Sequence, residues 1–550
     1  RILRQHADAL GYKRDFTIYD SADSRSLIKI IIKQLELDDK IYKPATVQSI
    51  ISNAKNAMVT ADIYAADPDY YEADRRAKRP MIKEIFQIYE NRCKSANVMD
   101  FDDILVNMNL LLSQNPDICR HYQEFFSYIL VDEYQDTNYA QHLVISQLSK
   151  ENGKICVVGD DAQSIYSFRG ANIGNILSLD KKYKNLKIFK LERNYRSTQN
   201  IINAAGSLID KNAHQLKKNV YSEKEKGEAV GIVKAYSDLE EAFLLANMIS
   251  QAKLTYHDSY DDYAILYRTN AQSRVIEESL RKRDIPYRIY GGLSFYQRKE
   301  VKDIIAYFRL SVNPDDDEAL RRVINYPSRG IGETTMKKLQ NIAQKESTSL
   351  WGALGGLGES HPDFNKGTIA KLVRFRTLIE EFADKNSKGM DAFELGQLIT
   401  NRSGILLEFA NDNTPESVSR KEHLSEILSG LKQMVNTKRM QNDEENADMS
   451  HFLSEVMLAT DQDNDDSGDG AKVTLMTAHA AKGLEFKHVY VSGVEEDLFP
   501  SAMSKDSTEH VEEERRLLYV AITRAEETCI LTYAGSRMRN GQTVLTSPSR

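Results

Sequence analysis

Side chains recur at helical spacing through residues 1–98: the apolar Leu27, Ile30 and Ile31 with the polar Gln34 in one stretch, and Ile82, Ile85, Phe86 and Tyr89 in another. A recurrence at i, i+3, i+4 and i+7 puts those side chains on one helix face, so a helical module is predicted there. From Asp100 onward short apolar runs alternate with helical stretches: YILV at 128–131, KICVVGD at 154–160 and LKIFKL at 186–191. That alternation predicts an α/β domain built on a mainly parallel sheet. A second such unit follows, with GIVKAY at 231–236, DYAILYR at 262–268 and YRIYGG at 287–292. Strand-like runs resume only at VTLMTA, 473–478, and HVYVSG, 488–493. The stretch between them is helical in pattern, so the second α/β domain is expected to carry a helical insertion. The predicted division is 1–98, 99–213, 214–312, 313–469 and 470–550.

A chain of 550 residues exceeds a single core, and roughly three or four domains are expected from length alone. No apolar run is long enough to span a bilayer and no signal-peptide pattern opens the chain, so a soluble cytoplasmic protein without membrane contact is expected. Cys93, Cys119, Cys156 and Cys529 lack C-x-x-C spacing, which argues against structural zinc, an iron–sulfur cluster or a disulfide framework. A net charge of −8 and a pI near 5.9 do not announce a nucleic-acid binder. A local groove of Lys and Arg can still track phosphates on an otherwise acidic surface. The run DQDNDDSGDG at 461–470 fails as a calcium loop: counted from Asp461, positions six and twelve are Asp466 and Lys472 instead of Gly and Glu. A solvated acidic linker is expected.

The chemistry concentrates in YILVDEYQD at 128–136 and VGDDAQSIYSFRGA at 158–171. An apolar strand ending in Asp132-Glu133 delivers two carboxylates to its tip, where one can hold magnesium and one can polarise water. Alone the pair is a weak signal, since adjacent acids often cap a turn. A second strand ending in Gly159-Asp160 and leading to Gln163 strengthens it, because a glutamine there suits sensing a γ-phosphate or orienting water. Tyr166, Phe168 and Arg169 then put two aromatics and a cation in one short loop, a combination that stacks bases and grips phosphate. By themselves they would be ordinary core aromatics.

These segments resemble the UvrD/PcrA/Rep-type DNA helicases of superfamily I. VDEYQDTN (131–138) is similar to that family's second motif and GDDAQSIYSFRGA (159–171) to its third. LERNYRST (191–198) is similar to the fourth, TLMTAHAAKGLEF (474–486) to the fifth and EEERRLLYVAITRAEE (512–527) to the sixth. The resemblance extends through LYRTNAQSR (266–274) and GGLSFYQRKEVKD (291–303), and so over essentially the whole chain. It implies a fold of two RecA-like parallel-sheet motor domains, with ATP and Mg2+ in the cleft between them and two mainly helical insertion domains. It further implies that Asp132 holds magnesium with Glu133 beside it, that Glu133 is the general base, and that Gln163 couples the γ-phosphate to the DNA site. Tyr195 would stack on adenine, Arg196 would reach the γ-phosphate, Glu485 would meet the ribose and Arg524 would act as an arginine finger. Without the resemblance, Arg524 would be read as a surface ion pair.

For DNA the resemblance points to Tyr166, Phe168 and Arg169 in the first motor domain and to Arg268, Asn270, Thr477 and His479 in the second. Phe168 stands where many relatives carry Trp, and Asn540 near where some place another stacking aromatic. His479 alone would be read as a packing histidine. Within the helical insertion, RGIGETTMKKL (329–339) offers Gly330 and Gly332 for a turn with outward amides and Lys337 for charge. On the residues alone this is equally a place for duplex phosphate or a helix–turn–helix connection with a solvated lysine pair, and the resemblance favours duplex contact. The expected partners are single-stranded DNA and single-strand/duplex junctions; no protein partner is indicated.

One element of such a motor has no counterpart in the chain: there is no G-x-x-x-x-G-K-[ST] phosphate loop. In the family that loop lies ahead of the segment resembling Arg1–Leu10, so about a hundred residues are expected to be absent. The first motor domain is then incomplete, and both ends look cut. The function expected is a 3′–5′ ATP-dependent DNA helicase or translocase in repair, replication or recombination, with ATP hydrolysis deficient in this polypeptide. The competing reading is a non-catalytic DNA- or partner-binding remnant of the same framework.

Overall fold

Ile82, Ile85, Phe86 and Tyr89 lie buried along one face of the helix Ile82–Ser95, as their spacing requires. They pack on Ile28, Ile31 and Ile32 and on Val47 and Ile51 of two further helices, giving the first helical body its core. Ile30 points outward. The computed structural model describes residues 1–150, 153–183, 185–290, 295–346, 348–358, 361–410, 414–441, 447–456, 470–539 and 541–550. By its contacts the chain forms two units: Arg1–Glu192 with Ile209–Asn219, and Arg193–Leu208 with Val220–Arg550. The 461–469 part of the expected acidic linker, and Asn540, lie outside the described residues.

In the first unit the helical body begins at Ser21, not at residue 1. Strand β1 (Thr17–Tyr19) pairs in parallel with β2 (Val98–Asp100), and Leu3, Ala7 and Phe16 pack on Met99 and Leu111 instead of on the helices. Strands of three residues are too short to show a period, so the sequence pattern merged them with the helices. The buried ammonium of Lys55 joins the two parts, 2.7 Å from both Asp100 and Asp103. The phenol of Tyr89 donates to the same Asp100 oxygen at 2.9 Å. Strands β3 (Ile129–Val131) and β4 (Ile155–Val157) form a parallel pair where YILV and KICVVGD predict them. LKIFKL is not a strand: residues 186–191 are irregular, with Ile188, Phe189 and Leu191 more than 60% exposed. An apolar alternation becomes a strand only when a neighbouring strand takes up its backbone groups, and among the described residues none pairs with this segment.

The second unit opens on a short parallel pair, β5 (Arg193–Asn194) with β6 (Tyr221–Ser222). Its centre is a six-stranded, wholly parallel sheet in the order β7-β12-β11-β8-β10-β9. These strands are β7 (Gly231–Ala235), β8 (Tyr263–Tyr267), β9 (Tyr287–Ile289), β10 (Val473–Thr477), β11 (Phe486–Val491) and β12 (Ala525–Ala534). All but β12 coincide with the apolar runs read from the sequence. β8 is buried along its whole length, as a central strand covered on both faces must be. Between β9 and β10 comes the helical insertion, whose core runs from Phe295 to Val456 and so takes in the helix Lys299–Val312 ahead of the expected start at 313. A hairpin of β13 (Ser536–Arg539) and β14 (Gln542–Leu545) closes the unit. Among the described residues no helix is long and apolar enough to cross a membrane.

Candidate nucleotide and nucleic-acid sites

Strand β3 ends at Val131, so Asp132 and Glu133 stand at its C-terminal tip with both side chains exposed. Glu133 has φ of 49°, a left-handed conformation that a non-glycine residue adopts only when its surroundings hold it. Two contacts do so: its amide donates to Asp132 Oδ1 at 2.8 Å, and Gln135 Nε2 donates to its Oε2 at 2.6 Å. Gln135 Oε1 in turn accepts from the amide of Asp160 at 3.0 Å, which ties the tip of β3 to the turn after β4. The approach needs Gly159, because a Cβ there would lie 2.5 Å from Gln135 Oε1 and 2.8 Å from Ile176 Cδ1. Asp160 caps the next turn by accepting from Ala162 N at 3.0 Å, and its other oxygen accepts from Gln163 Nε2 at 2.8 Å. Glu133, Gln135, Asp160 and Gln163 therefore form one continuous hydrogen-bonded relay.

Two members of this assembly escaped the sequence reading. Gln135 is the strut, and Lys218 is the counter-ion. The Lys218 ammonium pairs with Asp160 and with the buried Asp161, the latter at 3.0 Å, while Leu216 N donates to Asp161 at 2.9 Å. Burial would lower the pKa of this lysine, but the two carboxylates more than reverse that and hold it above the usual value. Adjacent aspartates called for a cation, but a local reading could not supply its position 57 residues downstream. A Lys218→Met chain is expected to lose about 2 kcal/mol of stability, the scale of hydrogen bonds to charged groups. Urea unfolding of the first unit checks this, and an unchanged midpoint would show that the contact is dispensable.

Beyond Gln163, the rings of Tyr166 and Phe168 lie 6.1 Å apart, with the Arg169 guanidinium 5.2 and 5.4 Å from their centroids. Phe168 is half exposed, so the trio sits at the surface and not in the core.

In the second unit, Asn194 Oδ1 accepts from the amides of Arg196 and Ser197, each at 2.9 Å, in a side-chain turn that leaves Tyr195 projecting and 72% exposed. The Arg193 guanidinium lies 4.7 Å from the Tyr195 ring centroid. Arg196 Nε donates to Glu485 Oε2 at 2.7 Å, and this bond and the guanidinium charge hold the Glu485 carboxyl below its usual pKa. The structure thus brings Arg196 and Glu485 together as an ion pair. Arg524, beside them in the same unit, is 2% exposed and turned inward, donating to Val520 O at 3.0 Å, Leu484 O at 3.1 Å and Thr523 Oγ1 at 3.3 Å.

Strands β8 and β10 are neighbours in register Tyr267↔Thr477, so Arg268, Asn270, Thr477 and His479 gather at one C-terminal edge of the sheet. Arg268 is engaged there: its guanidinium makes a fork with Glu514, with contacts of 2.7–3.1 Å. Asn270 gives its carbonyl to Arg298, and Thr477 Oγ1 accepts from Ala480 N. In the helical insertion, Gly330 has φ of 68° and is exposed together with Gly332 and Lys337. Arg329 faces the other way, donating to Tyr307 Oη and to the carbonyls of Val323 and Ser403. The turn is therefore anchored from within while its glycines face outward.

The donor set at the tip of β3 fits a magnesium ion: Asp132 and Glu133 are exposed carboxylates, hard oxygen donors on adjacent residues.

Residues 1–184 match the family model described as the UvrD/REP helicase N-terminal domain, and residues 189–536 match the UvrD-like helicase C-terminal domain. The chain is 40% identical over 550 residues to the ATP-dependent DNA helicase PcrA of Leuconostoc citreum, covering all of the chain and 72% of that protein. It is 38% identical over 556 residues to the protein of the same name from Staphylococcus aureus, covering 73% of it. It is likewise 38% identical over 550 residues to DNA helicase II of Haemophilus influenzae, covering 74%. Two successive family models span nearly the whole chain, and the expected motifs stand on the turns that carry the relay and the ion pair. The chain belongs to the UvrD/REP helicase family.

Proposed function

We propose that this protein is an ATP-dependent DNA helicase that moves 3′ to 5′ along single strands and acts at single-strand/duplex junctions. The observation that carries the reading is the relay from Glu133 through Gln135 and Asp160 to Gln163. It links the exposed carboxylate that would take a proton from water to the glutamine that would register a phosphate. Magnesium held by Asp132 would neutralise phosphate charge. In the second unit, Tyr195 offers a face to a base, Arg196 and Arg524 offer guanidinium charge to phosphate, and Glu485 offers a carboxylate to a ribose hydroxyl. Arg196 and Arg524 must exchange their present partners, Glu485 and the backbone carbonyls, to do so.

DNA would be held by Tyr166, Phe168 and Arg169, by Arg268, Asn270, Thr477 and His479, and on its duplex part by Gly330, Gly332 and Lys337. Stacking on aromatic faces tolerates any base, which suits a motor that steps along arbitrary sequence. Replacing Phe168 with Ala is expected to weaken oligonucleotide binding by about 1–3 kcal/mol. Fluorescence anisotropy with single-stranded DNA at two salt concentrations tests it. Affinity equal to wild type at both would remove Phe168 from the DNA surface.

The 550-residue polypeptide contains no G-x-x-x-x-G-K-[ST] segment, so the same reading includes weak ATP hydrolysis by this polypeptide on its own. Single-strand-stimulated ATPase tests that part.

A further inference from the structure

Away from these sites, at the N-terminal ends of β8, β11 and β12, three potential metal ligands converge. Atoms of Asp258, His488 and Glu527 lie within 4.8 Å of one another. Asp258 arrives from the helix Asp238–Tyr256 through His257, whose φ of 57° turns the chain back toward the sheet. His488 and Thr528 are register partners on β11 and β12, which places Glu527 next to the cluster.

His488 is fully buried and its orientation is fixed. Its ring is stacked between Tyr263, with centroids 4.6 Å apart, and Tyr256, at 5.0 Å. Nδ1 lies 2.8 Å from Thr528 Oγ1, and Nε2 lies 2.8 Å from Asp258 Oδ2. A hydrogen-bond partner on one imidazole nitrogen, with the other aimed at a carboxylate oxygen, fixes the ring as the outer partners of a metal-binding histidine do. Asp258 Oδ1 is already taken by Lys487 at 2.6 Å, which leaves Oδ2 for a second cation. No hydrogen bond or ion pair engages the Glu527 carboxylate among the described residues, and Glu527 is exposed, so the site is open to solvent on its side. The local charge also asks for a cation. Asp258 and Asp262 both pair with the Lys487 ammonium, Glu527 adds a further carboxylate beside Asp258, and Glu228 approaches through the Tyr256 hydroxyl at 2.7 Å.

We propose that Asp258, His488 and Glu527 form a binding site for a zinc-class divalent transition-metal ion, which would pin the end of the helix to the first turns of β11 and β12. One imidazole and two carboxylates with a free fourth position suit zinc coordination. Imidazole disfavours magnesium as occupant, so the site differs in kind from the carboxylate tip of β3. Two ligand atoms each about 2.0–2.1 Å from a tetrahedral zinc lie roughly 3.3 Å apart. The gap between Nε2 and Oδ2 therefore has to open by only about half an ångström.

Isothermal titration of the 550-residue chain with zinc chloride, without nucleotide, tests the site, with Co2+ absorption reporting tetrahedral geometry. One saturable equivalent is expected. Glu527→Gln and His488→Gln are each expected to weaken it by at least the order of 10–100-fold that loss of an outer-shell partner causes in known sites. Glu527 is exposed, so its variant removes a ligand without touching the core and remains informative if the His488 variant unfolds. Absence of zinc uptake by the wild-type chain overturns the proposal, as does zinc or cobalt binding unchanged in Glu527→Gln.

Discussion

Arg537→Met is expected to destabilise the second unit by about 3–5 kcal/mol, the cost of leaving buried charge without its partner. The Arg537 guanidinium lies between Glu241 and Glu495, all three less than 10% exposed. It donates to the two Glu495 oxygens at 2.7 and 2.8 Å and also to Glu241. Glu241 belongs to the helix Asp238–Tyr256 and also accepts from Gly493 N and Thr532 Oγ1; Glu495 accepts from Ala534 N. One side chain thus closes a knot among a helix, the loop after β11, the end of β12 and the terminal hairpin. Burial would lower its pKa, but Glu241 and Glu495 outweigh that and raise it, so the charge persists at any ordinary pH. Because both carboxylates would remain buried, the loss should exceed that of deleting a surface pair, which is worth about 0–1 kcal/mol. Arg537→Lys should fall between, since it keeps the charge and loses the planar fork. Guanidinium chloride unfolding measures both variants, and an Arg537→Met stability within about 1 kcal/mol of wild type would contradict the role of Arg537 as counter-charge to Glu241 and Glu495.

The turns proposed to carry chemistry were legible because their signal is local. Asp132-Glu133 after YILV and Gly159-Asp160 after KICVV sit where a strand ends, and the structure ends β3 and β4 there. The runs that became β7 through β11 were equally plain, each a short apolar stretch bounded by turn residues. β12 was missed because it opens on Ala-Glu-Glu-Thr, which reads as the polar tail of a helical motif, although CILTYA follows. LKIFKL erred in the opposite sense: its pattern suits a strand, but pattern alone does not reveal whether a neighbouring strand exists to receive it. Long-range ion pairs left no trace at all. Lys218 with Asp160, Arg268 with Glu514 and Arg537 with Glu241 join residues 58, 246 and 296 positions apart, and periodicity has no reach over such distances. The proposed site residues Arg268 and Arg524 carry the largest gap between motif and geometry, since the family resemblance marks them as available cations and the structure shows both engaged within their own unit.

If Glu133 activates water in a nucleotide-driven motor, single-strand-stimulated ATP hydrolysis must depend on it. Three polypeptides are compared: the 550-residue chain, the chain extended upstream by a segment supplying a G-x-x-x-x-G-K-[ST] loop, and that extended chain carrying Glu133→Gln. The extended chain is expected to hydrolyse ATP in response to single-stranded DNA. The 550-residue chain should be slower, and Glu133→Gln should cut the extended chain's turnover by about 10²–10⁴-fold, the scale of general-base catalysis. Turnover by the 550-residue chain equal to that of the extended one would contradict its proposed deficiency, and an extended chain that hydrolyses no ATP, or hydrolyses it equally well with Glu133→Gln, would contradict the motor itself.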